Sequence, residues 1–202
     1  MSDTKYLAFD CDDVHPGNFP FVHLKVLAEK GFKPTLFIPA WWHGEYNLID
    51  HKEWVEKMKE IGEIQAHGLL HRGPHNDCEF YTKPEHIEAT LKAMMNIYEK
   101  VGIHPTVLRP PGWLYKDFPY EKYVKHLSKH ESVDTSIQVI NIHKLVEPKG
   151  EYVLVHSHAE GGQNENDLSN PEIFKKLLDW LSLYSSSYTY ITVGEMYDKA
   201  HP

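Results

Sequence analysis

Short apolar runs alternate along this chain with stretches in which apolar residues recur every three or four positions. Lys5–Asp10 has the first pattern and ends in acidic residues, with a loop through Pro16-Gly17-Asn18 behind it. Phe19–Lys30 has helical spacing, with Gly31 as its stop. Lys33–Ile38 predicts a second strand, and Asp50 with Glu53 predicts a capping box opening a helix to Gly62. Glu63–His67 predicts a third strand. Thr82 with Glu85, and Pro84 in the first turn, predicts a long helix ending at Gly102. Thr106–Leu108 reads as a short strand, Phe118–Lys129 as a helix, and Ser132–Thr135 and Gln138–Ile142 as weaker strands. Glu151–Val155 reads as a buried strand. Ser169-Asn170-Pro171-Glu172 caps a helix through Tyr184, and Tyr188–Val193 closes the series as a strand.

Strand-then-helix alternation predicts parallel pairing, with helices covering the sheet. Seven or so strands in 202 residues predict an α/β fold, a closed or nearly closed β/α barrel. There is no internal repeat or linker, so a single domain spanning residues 1–202 is expected. In such barrels the chemistry gathers at the C-terminal ends of the strands.

Composition narrows the function. A formal net charge of −8 argues against a nucleic-acid or anionic-membrane surface, which needs an excess of Lys and Arg. No apolar run reaches the length of a bilayer span, and the first residues carry no signal-like apolar stretch, so a cytoplasmic protein is expected. Cys11 and Cys78 make neither a disulfide framework nor a CxxC metal site. Cys11 reads as a small buried residue. Fifteen histidines invite a metal and also make chance His pairs common.

Four polar clusters fall directly after predicted strands: Asp10-Cys11-Asp12-Asp13, His67-Gly68-Leu69-Leu70-His71, Arg109-Pro110-Pro111-Gly112-Trp113, and His156-Ser157-His158. The HxxxH spacing occurs at His67/His71, His71/His75 and His126/His130. The last pair lies among charged residues and reads as a solvated helix face. His67/His71 follows a buried strand and is flanked by Gly68 and Gly73-Pro74, which presents two imidazoles into a turn. Three carboxylates within four residues repel one another, and a cation relieves that repulsion. One carboxylate with two imidazoles leaves open positions on Zn²⁺ or a similar ion, and a second carboxylate becomes a candidate base. His156 and His158, two apart on a strand, point to one side; one is a candidate proton donor. Trp41-Trp42-His43 and Trp113-Leu114-Tyr115 are candidate sugar-stacking groups, or ordinary packing, and His15, His43 and His75 are candidate substrate contacts.

In this order the clusters resemble the NodB-like polysaccharide deacetylases, also called carbohydrate esterase family 4. The resemblance rests on Asp12-Asp13, His67–His71, Arg109-Pro110-Pro111 and Leu154-Val155-His156, with Ile191–Met196 similar to the family's closing strand. It implies a deformed (β/α) barrel and one divalent metal, Zn with Co or Ni as alternatives, held by Asp13, His67 and His71. It further implies Asp12 as base, Arg109 as that aspartate's partner and His156 as acid, with Trp113 toward the substrate. Some relatives use Asp-x-Asp, which here makes Asp10 the base and Asp12 the ligand. The function implied is N-deacetylation of an acetamido sugar or glycan, releasing acetate. Hydrolysis of a non-sugar cyclic amide and a silent carbohydrate-binding role are the alternatives.

Overall fold

The computed structural model describes residues 4–17, 21–72, 78–159 and 167–202. Ten strands and five helices follow one another along them. The strands are β1 (Tyr6–Asp12), β2 (Thr35–Ile38), β3 (Trp41–Trp42), β4 (Tyr46–Asn47), β5 (Glu63–Ala66), β6 (Val107–Leu108), β7 (His126–Leu127), β8 (Ile137–Asn141), β9 (Tyr152–His158) and β10 (Thr189–Tyr190). The helices are α1 (Phe21–Glu29), α2 (Lys52–Ile61), α3 (Pro84–Lys100), α4 (Pro171–Tyr184) and α5 (Val193–Ala200).

Seven strands pair in the order β7-β6-β5-β2-β1-β9-β8, and β10 adds to β1. Every ladder in this sheet is parallel. It curls as the expected deformed barrel does but stays open, because among the described residues no ladder joins β7 to β8. β3 and β4 form a separate antiparallel hairpin.

The two faces of the sheet have different fates. Leu7, Phe9 and Cys11 pack outward with Leu24, Leu27, Leu91 and Leu177 of the covering helices. Ala8 faces the opposite way, into a cluster with Phe37, Val107, Leu154, Met196 and Tyr197, where α5 supplies the barrel floor. A strand alternates faces at every residue, so Asp10 and Asp12 follow Ala8 inward, and His156 and His158 follow Leu154. The β1–β9 register sets Ala8 opposite Leu154, Asp10 opposite His156 and Asp12 opposite His158. Apolar residues fill the lower barrel and polar ones its mouth.

Several local expectations give way to tertiary context. Phe118–Lys129 is not a helix: Tyr120–Lys122 makes a 3-10 turn, and His126–Leu127 pairs with β6. Its apolar spacing is used by the buried Tyr120 and Val124 around that turn. His126 therefore lies on a strand, 2.6 Å from Asp198. Ser132–Thr135 is no strand, and Asp134 accepts from Ser136 in a local turn. Neither expected capping box forms. Asn47 caps the 3-10 turn Leu48–His51 ahead of α2, and Lys83 precedes α3 without a side-chain cap. Asn170 does cap α4. The last strand stops at Tyr190, because Thr192 and Glu195 form a capping box that opens α5; Ile191–Met196 is a helix start, not a closing strand. Part of the expected Phe19–Lys30 helix, and Gly73, Pro74 and His75, lie outside the described residues. Among the described residues, no helix is long and apolar enough to cross a membrane.

Candidate metal centre

The barrel mouth gathers Asp10, Asp12, Asp13, His67, His71, Arg109, Trp113, His156 and His158. Asp10 and Asp12 come from β1, His156 and His158 from β9. His67 and Arg109 stand one residue past the ends of β5 and β6. Asp13, His71 and Trp113 have left-handed backbones (φ 63°, 52° and 58°), a conformation that costs about 1–3 kcal/mol and is kept where the surroundings demand it. At Asp13 the turn breaks the strand's alternation, so two consecutive carboxylates both face the mouth.

Asp13 Oδ1 lies 2.6 Å from His71 Nε2 and 3.2 Å from His67 Nε2. Asp12 Oδ2 is 3.7 Å from His67 Nε2. His67 Nδ1 is 2.9 Å from the Arg109 carbonyl, which only accepts, so Nδ1 carries the proton and Nε2 of the neutral ring carries a lone pair. That lone pair is aimed at a carboxylate oxygen, an arrangement that requires a cation or a proton between them.

The charge balance makes the same demand. Asp10, Asp12 and Asp13 are 0%, 2% and 1% exposed, and among the described residues the fully buried Arg109 is the one permanent cation buried with them. Its Nη1 donates to Asp12 Oδ1 at 2.6 Å, its Nη2 pairs with Asp10 Oδ2 at 2.6 Å, and its Nε donates to Ser128 Oγ at 3.3 Å. A dication beside Asp13 neutralises the two carboxylate charges left over. Asp13, His67 and His71 bring an oxygen and two imidazole nitrogens within 4.8 Å of one another, a donor set suited to Zn²⁺ or a related ion.

Asp10 and Asp13 stay ionised. Burial by itself would raise both Asp10 and Asp13, but their partners outweigh it. Arg109 and His156 bring Asp10 down to about 2, and the neighbouring His158, His67 and His71 hold Asp13 well below the usual carboxylate range. His67 is also desolvated, yet Asp12 and Asp13 raise it above an ordinary histidine.

Other groups hold this arrangement in place. Phe37 and Trp113 lie at 3.9 Å and 4.6 Å from the Arg109 guanidinium carbon, and Tyr197 donates to Ser128 at 2.9 Å. Tyr98 accepts from the His67 N–H at 3.4 Å and donates to the Ile38 carbonyl. Glu79 accepts from the backbone N–H groups of Leu69 (2.7 Å), Leu70 (2.5 Å) and Arg72 (3.1 Å), fastening the loop that carries His71. A Cβ on Gly68, whose φ is +88°, would stand 2.8 Å from that carboxylate and 3.0 Å from Pro111, so this loop requires glycine. Beside the centre, Trp42 stacks on His71 (4.6 Å, 25°) and on His15 (4.2 Å, 11°). Trp41 faces solvent. Glu79, Phe37, Tyr98, Ser128 and Tyr197 carry no motif; their roles come from contacts distant in sequence.

Fold and donor set together define a candidate divalent-metal site at the mouth of a curled parallel α/β barrel. The family profile described as Polysaccharide deacetylase matches residues 2–127, and the chain belongs to the polysaccharide deacetylase family, one of metal-dependent deacetylases. Its structure is similar to a family 4 acetyl xylan esterase from Clostridium thermocellum, in complex with a cobalt ion, at 15% identity over 96% of this chain and 91% of that one (TM-score 0.63). It is also similar to a peptidoglycan deacetylase from Bacillus subtilis, at 18% identity over 99% and 93% (TM-score 0.65). A chitin deacetylase from Colletotrichum lindemuthianum aligns at 15% identity over 95% and 86% (TM-score 0.61). No curated relative matches the sequence.

Proposed function

We propose that residues 1–202 form one catalytic domain that removes the N-acetyl group from an acetamido sugar within a glycan, releasing acetate. The observation that carries this reading is the convergence of His67 and His71 Nε2 on Asp13 Oδ1 at 3.2 and 2.6 Å, with Asp12 beside them. Asp13, His67 and His71 would hold the ion, with Zn²⁺ best matched to one oxygen and two nitrogens. When bound, it supplies Lewis-acid polarisation of the acetamide carbonyl and makes water acidic enough to attack near neutral pH.

Asp12 takes the proton of the attacking water. Arg109 holds and directs that carboxylate through a charge-assisted hydrogen bond. Asp12 rather than Asp10 is the base in this reading, because Asp10 is engaged by the Arg109 Nη2 and, at 2.7 Å, by His156 Nδ1. His156, with Nδ1 fixed on Asp10, protonates the departing amine at Nε2 as the carbon–nitrogen bond breaks. Trp113, packed over Arg109 at the rim, and Trp42 offer aromatic faces to a sugar ring.

Acetate release from N-acetylated chitin and peptidoglycan fragments tests this, with small cyclic amides as the contrasting substrates. His67→Ala is expected to lose both the tightly held ion and activity, and Asp12→Asn to keep that ion and lose turnover. An Asp12→Asn protein without its tightly held ion, or turnover of cyclic amides alone, overturns the reading.

A further inference from the structure

The acid proposed above has a neighbour that the deacetylation reading leaves unused. His156 Nε2 lies 3.0 Å from His158 Nε2. Each ring is fixed from its other nitrogen: His156 Nδ1 is 2.7 Å from Asp10 Oδ1, and His158 Nδ1 is 2.9 Å from Asp13 Oδ2. Arg109 Nη1 also approaches His156 Nδ1, at 3.3 Å, but the carboxylate is nearer and only accepts. Each Nδ1 thus faces a carboxylate oxygen, which leaves each Nε2 turned toward the other ring. Two ring nitrogens at this distance take a proton or a cation between them.

Asp12 joins them: a carboxylate oxygen of Asp12 and one ring nitrogen each of His156 and His158 lie within 4.8 Å of one another. Two ligand atoms bound to one tetrahedral zinc stand about 3.4 Å apart, close to the observed separation. A carboxylate behind each ring is the usual support of a metal-binding imidazole. The donor types therefore repeat those of Asp13, His67 and His71.

We infer that Asp12, His156 and His158 form a second divalent-cation site beside the first, filled after it and inhibitory to deacetylation. Inhibition rests on the proposed function, because a cation here takes up the carboxylate of the base and the Nε2 of the acid; the binding itself does not. Charge sets the order of filling. One dication with Arg109 balances Asp10, Asp12 and Asp13, so a second one adds uncompensated positive charge and is held more weakly.

Equilibrium dialysis against Zn²⁺, at free concentrations too low to load isolated surface histidines, tests the site without substrate. Folding of each variant is checked by circular dichroism. Two ions per chain are expected in the unaltered protein, the weaker one lost in His156→Ala and the tighter one in His71→Ala. His158→Phe, which keeps an aromatic ring, is the second variant should His156→Ala fail to fold, and it too is expected to lose the weaker ion. Acetate release should rise as the first ion loads and fall as the second does. A single ion in the unaltered protein, lost in His71→Ala and kept in His156→Ala and His158→Phe, overturns the second site. That result leaves the deacetylase reading standing, whereas two ions without acetate release would sink the deacetylase reading and leave the site.

Discussion

Asp10 Oδ1 lies 2.7 Å from His156 Nδ1 across directly paired positions of β1 and β9. Backbone pairing thus sets the geometry of the two side chains. The carboxylate fixes the orientation of the His156 ring and places the N–H on Nδ1. Asp10→Asn should therefore lower kcat roughly a hundredfold or more, with KM little changed. Asp10→Glu, which keeps the carboxylate, should recover part of that loss. Unchanged kcat in Asp10→Asn would detach Asp10 from the positioning of His156.

Arg109 is fully buried with two carboxylates and Ser128 on its guanidinium. Replacing it with Ala leaves Asp10 and Asp12 buried against each other without a cation, a change of about 3–5 kcal/mol. Arg109→Lys keeps the charge, but a single ammonium cannot reproduce the fork, and an intermediate loss is expected. Urea unfolding of the metal-free proteins would rank the three. Equal stabilities would mean that the ion pairs are energetically silent.

How much of this was legible in the sequence depends on what each residue answers to. Asp12 and His156 lie toward the ends of β1 and β9, Asp13, His67, His71 and Arg109 follow strands, and strand ends in a parallel α/β sheet meet by topology alone. Strands such as β2 and β9 are apolar through the barrel wall, so their positions were readable to within a few residues. Phe118–Lys129 was not, since its apolar spacing suits a helix while pairing of His126–Leu127 with β6 overrides that preference. The Thr192–Glu195 box is masked in the sequence because Tyr188–Val193 consists wholly of aromatic and β-branched residues, which favour a strand. Glu79 was invisible for another reason. Its partners are backbone N–H groups, which every residue but proline possesses.

Glu79 also carries a prediction of its own. Its two carboxylate oxygens accept from Leu69, Leu70 and Arg72, and the amide of Glu79→Gln turns one acceptor into a donor facing N–H groups. The loop then loses its hold on His71 while the barrel below is untouched. Metal affinity should fall about 10–100-fold, as for other supporting contacts behind a ligand, with the fold retained. Competition for Zn²⁺ with a chromophoric chelator would measure it. Unchanged affinity would show that the backbone turn at Gly68 and His71 positions the ligand without help.

His15 gives the pH dependence a definite sign. Its ring is buried against Trp42, and its Nδ1 accepts from the Gly17 N–H at 3.1 Å, an interaction only the neutral ring makes. Burial, reinforced by His43 and His71 and opposed by Asp13, brings its pKa from 6.5 down to about 4. The unfolded chain takes up this proton below about pH 6.5, whereas the folded protein resists it until about pH 4. Stability from this residue is therefore complete above about pH 6.5 and is lost progressively as the pH falls toward 4. His15→Gln should remove that slope, so the gap in urea midpoint between the variant and the unaltered protein, both metal-free, should change between pH 7.5 and 4.5. A gap constant across that range, or a His15 proton resonance titrating near 6.5, would show that the buried ring is charged as readily as a free one.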